Sequence, residues 1–289
     1  MYLVNKFISS DLMKIGFLGF GEVASTLASG LLNNGVDVFT CVEGRSLKTK
    51  KLAQKTELSL CKSNRELAES SDILISAVTP LQATEVAKFV GNYSKGIYVD
   101  INNVSPFTVK EALSYIKNRK VVYASIIGSV RKKGLGVNIL ASGPYCEQFA
   151  ELNQYGMNIN IIGDKIGQAS AVKMFRSSFT KGISALLFET LYSAYKMGID
   201  GEVLKYIAET ECDGFEDSAV SRIVSSAVHS KRRAEEMEEV VGLISVNSEA
   251  KMNKATLKFF KSLHANLGNQ KRPENYREIF SIIDKREDR

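Results

Sequence analysis

Two patterns of apolar and polar positions divide the chain. In the first half, short runs of apolar and β-branched residues alternate with segments of helical periodicity, which predicts βαβ units and a parallel sheet. The predicted strands are 14–18, 36–41, 72–78, 96–100, 121–125, 136–141 and 158–162. Pro144 is placed to open the helix between the last two strands. We therefore expect an α/β domain built on a doubly wound parallel sheet.

The second half has helical periodicity throughout. From Gly167 onward the next proline is Pro273, and apolar residues recur at helical spacing over this stretch. A first helix is predicted over residues 168–197, with a length of about 45 Å at 1.5 Å per residue. Shorter helices are predicted after Asp200, Asp213, Lys231 and Ser248. This half is expected to be all α.

The use of glycine and proline marks the boundary between the halves. Three of the 4 prolines and fourteen of the 21 glycines precede residue 165. We therefore predict two domains, 13–165 and 166–289. Residues 1–12 precede Met13 and the first predicted strand, and we interpret them as a loose extension or a misassigned start without a function.

Composition is typical of a folded protein outside membranes. Hydrophobic residues make up 44% and charged residues 24% of the chain, which is ordinary globular usage. The chain has no run of roughly 18 apolar residues and no export signal at its start, so we expect a cytoplasmic location and no membrane partner. The net charge of +6 is spread along the chain, so no nucleic-acid partner is expected.

The cysteines give no sign of a metal site. They lie far apart in the sequence, at Cys41, Cys61, Cys146 and Cys212. This spacing matches neither zinc ligands nor a disulfide framework, so we predict a reducing compartment and no metal.

The turn after the first predicted strand carries a pattern for dinucleotide binding. Residues 19–24 read G-F-G-E-V-A and open a predicted helix, which is the G-x-G-x-x-A fingerprint in its strand–turn–helix context. Gly19 permits the tight turn, Gly21 lets the backbone approach a pyrophosphate, and Ala24 lets helix and strand pack closely. The same spacing occurs in ordinary turns, but this context favours a Rossmann-type nucleotide site. The residues expected to bind the cofactor here are Gly19, Phe20, Gly21, Glu22 and Val23.

The end of the second predicted strand bears on the choice between NAD and NADP. An NAD site places an acidic residue there to hold the ribose hydroxyls, and Glu43 fits that position. However, Gly44 breaks the strand, and Arg45 and Ser46, followed by three lysines, would surround a 2′-phosphate. We favour NADP, with NAD as the alternative. For the lysines, a solvated basic helix start is the other interpretation.

Four sequence blocks in order are typical of one enzyme superfamily. They are residues 16–24, 78–80, 100–106 and 167–178. On these blocks the chain resembles the 3-hydroxyisobutyrate and 6-phosphogluconate dehydrogenase superfamily, from residue 13 to about residue 200. The helical half looks more like the variant domain of poorly characterised phosphogluconate dehydrogenase-like members. The resemblance implies a nicotinamide-dependent oxidoreductase that forms a dimer through its helical domain.

The resemblance assigns the second and third blocks to the nicotinamide side of the cofactor. Val78 and Thr79 in the second block are expected to bind the cofactor. The third block of the family is an aspartate followed by small polar residues and Ser-Pro, and it lies beside nicotinamide and substrate. Asn102 and Asn103 occupy the matching positions, so Asn102 is assigned to cofactor binding and Asn103 to catalysis.

The loop that binds substrate in the superfamily departs from its usual sequence. The usual Asp-Ala-Pro-Val-Ser-Gly-Gly aligns with residues 123–129, which read Y-A-S-I-I-G-S. Ala124 and Gly128 are retained, whereas the acidic residue and the loop serine are lost. Gly128 and Ser129 are the substrate contacts that the resemblance implies. The departure argues against carrying over the family's ordinary hydroxyacid substrates.

Lys173 stands where the superfamily has its catalytic lysine. In a dry site the pKa of a lysine falls to about 7 or 8, so that it moves a proton and stabilises a developing alkoxide. Ser177 replaces the usual asparagine one turn later, and Arg176 replaces the histidine of phosphogluconate dehydrogenase. Ser177 and Lys181 share a helix face with Lys173. The other interpretation is a lysine that snorkels from a buried helix to water.

Basic residues on the later helices offer a contact for an anionic substrate. They are Arg222, His229, Arg232 and Arg233, and an acidic run at 235–239 carries the opposite charge. The simpler interpretation is a solvated, salt-bridged surface. The alternative is that one arginine closes over a small anionic substrate, either in its own subunit or in a partner subunit. We assign this role to Arg232.

These observations predict an NADP-dependent oxidoreductase. It would transfer a hydride between the cofactor and a small hydroxyacid or ketoacid anion, with Lys173 as general acid/base. Two alternatives stay open: an imine reductase on the same scaffold, which would depend less on Lys173, and a sensor that binds NADP without catalysis. A homodimer through the helical domain is expected.

Overall fold

The computed structural model of the protein describes residues 13–269 and 271–287, so the prediction for residues 1–12 lies outside the described residues. The strands are β1 Lys14–Leu18, β2 Asp37–Thr40, β3 Ser59–Leu60, β4 Ile73–Ser76, β5 Ile97–Asp100, β6 Val121–Ile127, β7 Asn138–Ser142 and β8 Asn158–Gly163. The helices are α1 Glu22–Asn33, α2 Leu47–Thr56, α3 Asn64–Ser70, α4 Ala83–Val90, α5 Pro106–Ser114, α6 Val130–Lys133, α7 Cys146–Ala150, α8 Gln168–Lys196, α9 Asp200–Glu209, α10 Phe215–Val228, α11 Ser230–Ile244, α12 Lys251–Leu267 and α13 Tyr276–Glu287.

The strands form one sheet in the order β3-β2-β1-β4-β5-β6-β7-β8. Strands β1 to β6 pair in parallel, so the doubly wound α/β prediction is confirmed. The expectation of a wholly parallel sheet is wrong at β7, which runs antiparallel to β6. The β6–β7 connection, residues 128–137, is too short for the crossover that a parallel pair requires. The exposed edge strand β3 was not predicted because two residues carry no periodic signal.

The sheet buries side chains on both faces. Ile15, Phe17 and Val99 lie on one face, in a core that includes residues of α1. Leu74 and Tyr98 lie on the other face, in a core with residues of α4 and α5. Burial on both faces explains why the parallel strands read as nearly continuous apolar runs. Truncation of a side chain such as Ile15 to alanine is expected to cost about 2–5 kcal/mol of unfolding free energy.

The chain forms two compact units, one ending at Lys173 and the other starting at Met174. The first unit includes the start of α8 because Ala169 is buried in its core. It therefore extends beyond residue 165, where glycine and proline usage had placed the boundary. The long helix predicted over 168–197 is α8.

The second unit is all α, as expected. Phe188 and Phe280 meet edge to face at its centre, with ring centroids 5.2 Å apart, and Met237 and Leu191 are buried in the same core. The helices predicted after Asp200, Asp213, Lys231 and Ser248 correspond to α9–α12, whereas α13 was not predicted. Among the described helices, none is long and apolar enough to cross a membrane.

Candidate functional site

The β1–α1 turn leaves room for a phosphate group. Gly19 has φ of +81°, and a Cβ on it would lie 2.6 Å from the carbonyl oxygen of Ala77, so a glycine is required there. Gly21 caps α1, and a Cβ on it would meet no atom within 4 Å among the described residues. Space is therefore open beside Gly21 at the N-terminus of α1, where backbone N–H groups and the helix dipole favour an anion. Fully buried Ala24 allows the close packing that the fingerprint requires.

The other fingerprint residues divide between core and surface. Phe20 is buried, and its ring meets that of Phe17 at a centroid distance of 6.4 Å, so only its backbone is available to a ligand. Val23 is half-buried. Glu22 is exposed, and both its carboxylate oxygens accept from Arg131, from Nε at 3.1 Å and from Nη2 at 2.8 Å. No local pattern in the sequence indicates this pair, because the two residues are 109 positions apart.

The loop after β2 presents both groups considered for the ribose. Glu43 is exposed, Arg45 is half-buried and Gly44 between them has φ of +66°. Ser46 caps α2, where its Oγ accepts from the backbone N–H of Thr49 at 3.3 Å. The serine thus fixes the start of α2, and its Oγ also lies 3.1 Å from Thr49 Oγ1 at this exposed position.

A row of buried polar residues crosses the sheet at the carboxyl end of β5. Ser76, Asp100, Tyr123 and Ser142 are in register on β4, β5, β6 and β7. Cross-strand partners point to the same face of a sheet, so these side chains share one side. Burial raises the pKa of Tyr123 to about 12, with a smaller contribution from the nearby charge of Asp100. The phenol is therefore a hydrogen-bond donor at ordinary pH.

Asn102 forms hydrogen bonds with residues of three neighbouring strands or of the loops that follow them. Its Oδ1 accepts from the backbone N–H of Val78 at 2.8 Å, and its Nδ2 donates to Ser76 Oγ at 3.0 Å. Its backbone N–H donates to Asp100 Oδ1 at 2.8 Å, and its carbonyl accepts from Tyr123 Oη at 2.8 Å. With 3% of its surface exposed, Asn102 acts within the protein and positions the loops on either side.

The residues next to these hydrogen bonds are partly or fully exposed to solvent. Asn103 is exposed, Val78 is half-buried, and Thr79 is exposed with its Oγ1 3.4 Å from Gln82 Oε1. Thus Asn102 orients the backbone of the second block, while Asn103 presents a free surface at the carboxyl edge of the sheet. Ligands of open α/β sheets bind at this edge.

Asp100 is the buried acidic residue of the polar row. Burial raises the pKa of its carboxyl group to about 7, although the Asn102 N–H bond favours the ionised form. Its Oδ2 has no hydrogen-bond partner among the described residues. An ionised carboxylate without full hydrogen bonding is costly in such an environment.

The start of α8 is tied to the same region. Ser170 Oγ donates to the carbonyl of Val104 at 2.7 Å, and the N–H of Ala169 donates to Ser142 Oγ at 3.1 Å. Lys173 follows Ser170 by one turn and is half-buried. The structure therefore connects the turn that precedes Lys173 to the loop that carries Asn103. The contacts of Ser170 and Tyr123 are long-range, so no local pattern in the sequence indicates a role for either residue.

The comparisons with known proteins agree with this architecture. The family model described as NADP oxidoreductase coenzyme F420-dependent matches residues 14–104, and a domain of unknown function (DUF1932) matches residues 194–263. An uncharacterised 28.5 kDa protein of Methanothermus fervidus is 45% identical over 252 residues, which cover 87% of this chain and 99% of that protein.

Two further relatives have an assigned fold or activity. A solved conserved protein of unknown function, described as structurally similar to 3-hydroxyacid dehydrogenases, is 45% identical with a TM-score of 0.80. The match covers 88% of this chain and 97% of that one. The 2-(hydroxymethyl)glutarate dehydrogenase of Eubacterium barkeri is 26% identical over 210 residues, 68% of each chain.

The chain belongs to the family of the two proteins that are 45% identical to it, one of which is described as structurally similar to 3-hydroxyacid dehydrogenases. The resemblance to hydroxyacid dehydrogenases drawn from the four sequence blocks is thereby confirmed. This membership makes the chain an oxidoreductase-family protein with a nicotinamide-dinucleotide-binding fold.

The loop that the sequence predicts to bind substrate follows β6. Gly128 has φ of +111° and is exposed after β6, and Ser129 is exposed at the start of α6. Tyr123 replaces the acidic residue of the family, and its hydroxyl is engaged by the Asn102 carbonyl. Gly128 and Ser129 stay predicted substrate contacts.

In the helical unit, some of the basic residues form ion pairs with acidic residues. Lys181 is buried, and its Nζ lies 2.7 Å from Glu236 Oε2, while burial lowers the pKa of the lysine. Ser177 is half-buried on α8, one turn before Lys181. Arg232 is exposed, with its Nε 3.6 Å from Glu236 Oε1.

An open cavity of about 390 Å³ lies beside Arg232, and His229 and His264 also line it. The cavity gives an anion access to the arginine, whose substrate contact stays a prediction. Among residues 13–269 and 271–287, no group of three or more His, Cys, Asp or Glu residues is arranged to hold a metal ion.

Proposed function

We propose that the protein is an NADP-dependent dehydrogenase or reductase that acts on a small hydroxyacid or ketoacid anion, with Lys173 as general acid/base. The observation that carries the proposal is the hydrogen bond from Ser170 to Val104, because it ties the turn before Lys173 to the loop of Asn103. This bond supports a position of Lys173 near the carboxyl edge of the sheet, where Asn103 is exposed.

The residues of the β1–α1 turn fit a dinucleotide. Gly21 borders open space at the N-terminus of α1, where a pyrophosphate would accept from backbone N–H groups. Val78 and Thr79 follow β4 at the neighbouring edge position, and Asn102 fixes the backbone N–H of Val78. When bound, the nicotinamide supplies hydride transfer, which the protein's own groups cannot perform.

The proposed preference for NADP rests on the loop after β2. The Arg45 guanidinium and the Ser46 hydroxyl are suited to a 2′-phosphate, which accepts charge-assisted hydrogen bonds. Glu43, exposed in the same loop, is suited to the ribose hydroxyls of NAD, which is the alternative cofactor.

Lys173 would move the proton on the substrate oxygen. In the reducing direction it donates a proton to the developing alkoxide, and in the oxidising direction it accepts one. Asn103 would hydrogen-bond the same oxygen or its neighbours, and Gly128 and Ser129 would bind the remainder of the anion. Ser177 and Arg232 belong to the second unit, and the catalytic role of Ser177 and the substrate contact of Arg232 stay predictions from the sequence.

The substrate class is supported by charge and by one relative. A hydroxylated acid is named as the substrate of the Eubacterium barkeri dehydrogenase. The net charge of +6 weakly favours anions. We therefore place small carboxylic acids first, and propose a cytoplasmic protein.

A homodimer through the helical unit is proposed from the surface of α8. Phe175, Phe179 and Leu186 are exposed along this helix. Exposed apolar stripes of this kind mark interaction surfaces. A second copy of the chain is the proposed partner.

Imine reduction is the second candidate, and Tyr123 favours it. Its side chain is buried and donates to the Asn102 carbonyl, so an internal contact stands where the usual family loop has an acidic residue, which argues against the ordinary hydroxyacid substrates. Reduction of a C=N bond would depend less on Lys173 because the developing charge differs.

A substrate screen tests the proposed function. Purified protein is incubated with NADPH and a panel of ketoacids, semialdehydes and cyclic imines, and with NADP and the matching hydroxyacids, while nicotinamide absorbance is followed. Turnover of a carbonyl or hydroxyacid member supports the first proposal, and turnover of imines alone supports the second. Tight cofactor binding without any turnover contradicts both and supports the sensor alternative.

A further inference from the structure

Arg131 lies beside the proposed cofactor site without having been assigned to it. It belongs to the short helix α6, which packs against α1. Val130, its neighbour in the chain, is buried in the same core as Phe20, which anchors this segment next to the β1–α1 turn. The position of Arg131 relative to the N-terminus of α1 is therefore set by packing.

The contact between Arg131 and Glu22 is a fork with two hydrogen bonds. Nε lies 3.1 Å from Oε1 and Nη2 lies 2.8 Å from Oε2, which is the geometry by which guanidinium recognises carboxylate and phosphate alike. Glu22 is in the first turn of α1, one residue after Gly21. The guanidinium thus stands at the helix end where a pyrophosphate would bind.

This ion pair is easily exchanged. The side chains of Arg131 and Glu22 are 78% and 57% exposed, and exposed pairs contribute little to folding stability. A phosphate carries more oxygen acceptors for the same donors. Two anions at one helix terminus would also repel each other, and a guanidinium between them relieves that repulsion.

We propose that Arg131 is a cofactor-binding residue that Glu22 holds in place in the free protein and that turns to the pyrophosphate of the bound dinucleotide. This inference rests on the proposed function, since it requires a dinucleotide at Gly21. The pyrophosphate is common to NADP and NAD, so the contribution of Arg131 does not discriminate between them. Glu22 is the competitor for the same guanidinium.

The test compares three variants in titrations with NADPH and NADH, followed by nicotinamide fluorescence. Arg131→Ala is expected to weaken both cofactors about tenfold, as for the loss of a charge-assisted hydrogen bond. Glu22→Gln keeps the backbone N–H through which residue 22 would meet the pyrophosphate, removes the competing carboxylate, and is expected to bind both cofactors at least as tightly as the wild type. Lys132→Ala is the matched control, because Lys132 is an exposed cation on the same helix.

The outcomes separate this inference from the proposed function. If the wild type binds a cofactor and Arg131→Ala binds no more weakly than Lys132→Ala, the inference is overturned while the proposed function stands. A loss confined to NADPH also overturns it, since that would place Arg131 at the 2′-phosphate. If the wild type binds neither cofactor, the proposed function fails and this inference fails with it. A lower salt dependence of binding in Arg131→Ala than in Lys132→Ala supports the inference further.

Discussion

The backbone N–H of Asn102 donates to the Oδ1 atom of Asp100 at 2.8 Å, and this bond joins a buried carboxyl group to the loop at the carboxyl edge of the sheet. The other oxygen of Asp100 has no hydrogen-bond partner among the described residues. The single hydrogen bond thus offsets only part of the free energy that burial of this carboxyl group costs. Ionisation of Asp100 therefore acts on the stability of the protein and on the position of the loop that carries Asn102.

Stability should depend on the ionisation of Asp100. Burial raises the pKa of its carboxyl group from 3.8 to about 7. Between these values the folded protein keeps a proton that the unfolded chain has released, so the contribution of Asp100 to stability falls as pH rises, by at most about 1.4 kcal/mol per pH unit. Asp100→Asn does not titrate and retains the Oδ1 acceptor. Relative to the wild type, its unfolding free energy should rise from pH 5 to pH 8 in urea titrations.

Parallel stability profiles for the wild type and Asp100→Asn would contradict this account of Asp100. The folded-state pKa would then lie near its ordinary value. Since the difference between the two proteins is measured at each pH, other titrating groups cancel.

Adjacent asparagines should have opposite roles. Asn102→Ala leaves the N–H of Val78 and the hydroxyl of Ser76 without their partner, and is expected to lower the unfolding free energy by about 2–4 kcal/mol. Asn103→Ala, at an exposed position, should change it by less than about 0.5 kcal/mol and lower turnover instead. Urea unfolding and steady-state rates of both variants test this. Similar stability of the two variants would show that the hydrogen bonds of the Asn102 side chain do not hold the strand ends together.

Arg45 should determine cofactor preference. Arg45→Ala is expected to weaken NADPH at least about tenfold and NADH little, because only NADPH carries the phosphate. Lys55→Ala, which removes an exposed cation from the last turn of α2, is the matched control. Fluorescence titration of both variants gives the ratio of affinities. Equal losses for the two cofactors in Arg45→Ala would remove the proposed phosphate contact.

Lys173 should act on chemistry rather than on cofactor affinity. With a substrate from the screen, Lys173→Ala is expected to lower kcat by about 10²-fold or more and to bind NADPH almost as the wild type does. Lys165→Ala, an exposed lysine just before α8, serves as the control and should retain the wild-type rate. Full turnover by Lys173→Ala would refute the general acid/base assignment.

Much of the fold follows from local sequence. Strand β1 and helix α8 have the predicted bounds to within one residue because their periodicity is uninterrupted. The direction of β7 depends instead on the length of its connection and on the space beside β6, which no local pattern encodes. Strand β3 exists only through pairing with β2.

The site was predictable where motifs are contiguous. The fingerprint at 19–24 could be found because its residues are neighbours in sequence. The row from Ser76 to Ser142 arises from strand register, and the pair of Glu22 and Arg131 joins segments 109 positions apart. Side chains that meet only through tertiary structure leave no signal in one sequence.

The measurement that tests the central claim most directly is a fluorescence titration of the wild type and Gly21→Val with NADPH and NADH. A side chain at Gly21 would enter open space, so the variant should fold normally by circular dichroism while blocking the approach of a pyrophosphate. We predict saturable binding to the wild type, tighter for NADPH than for NADH, and its loss in Gly21→Val. Absence of binding to the wild type, or equal binding by the folded variant, would contradict a dinucleotide site at the β1–α1 turn.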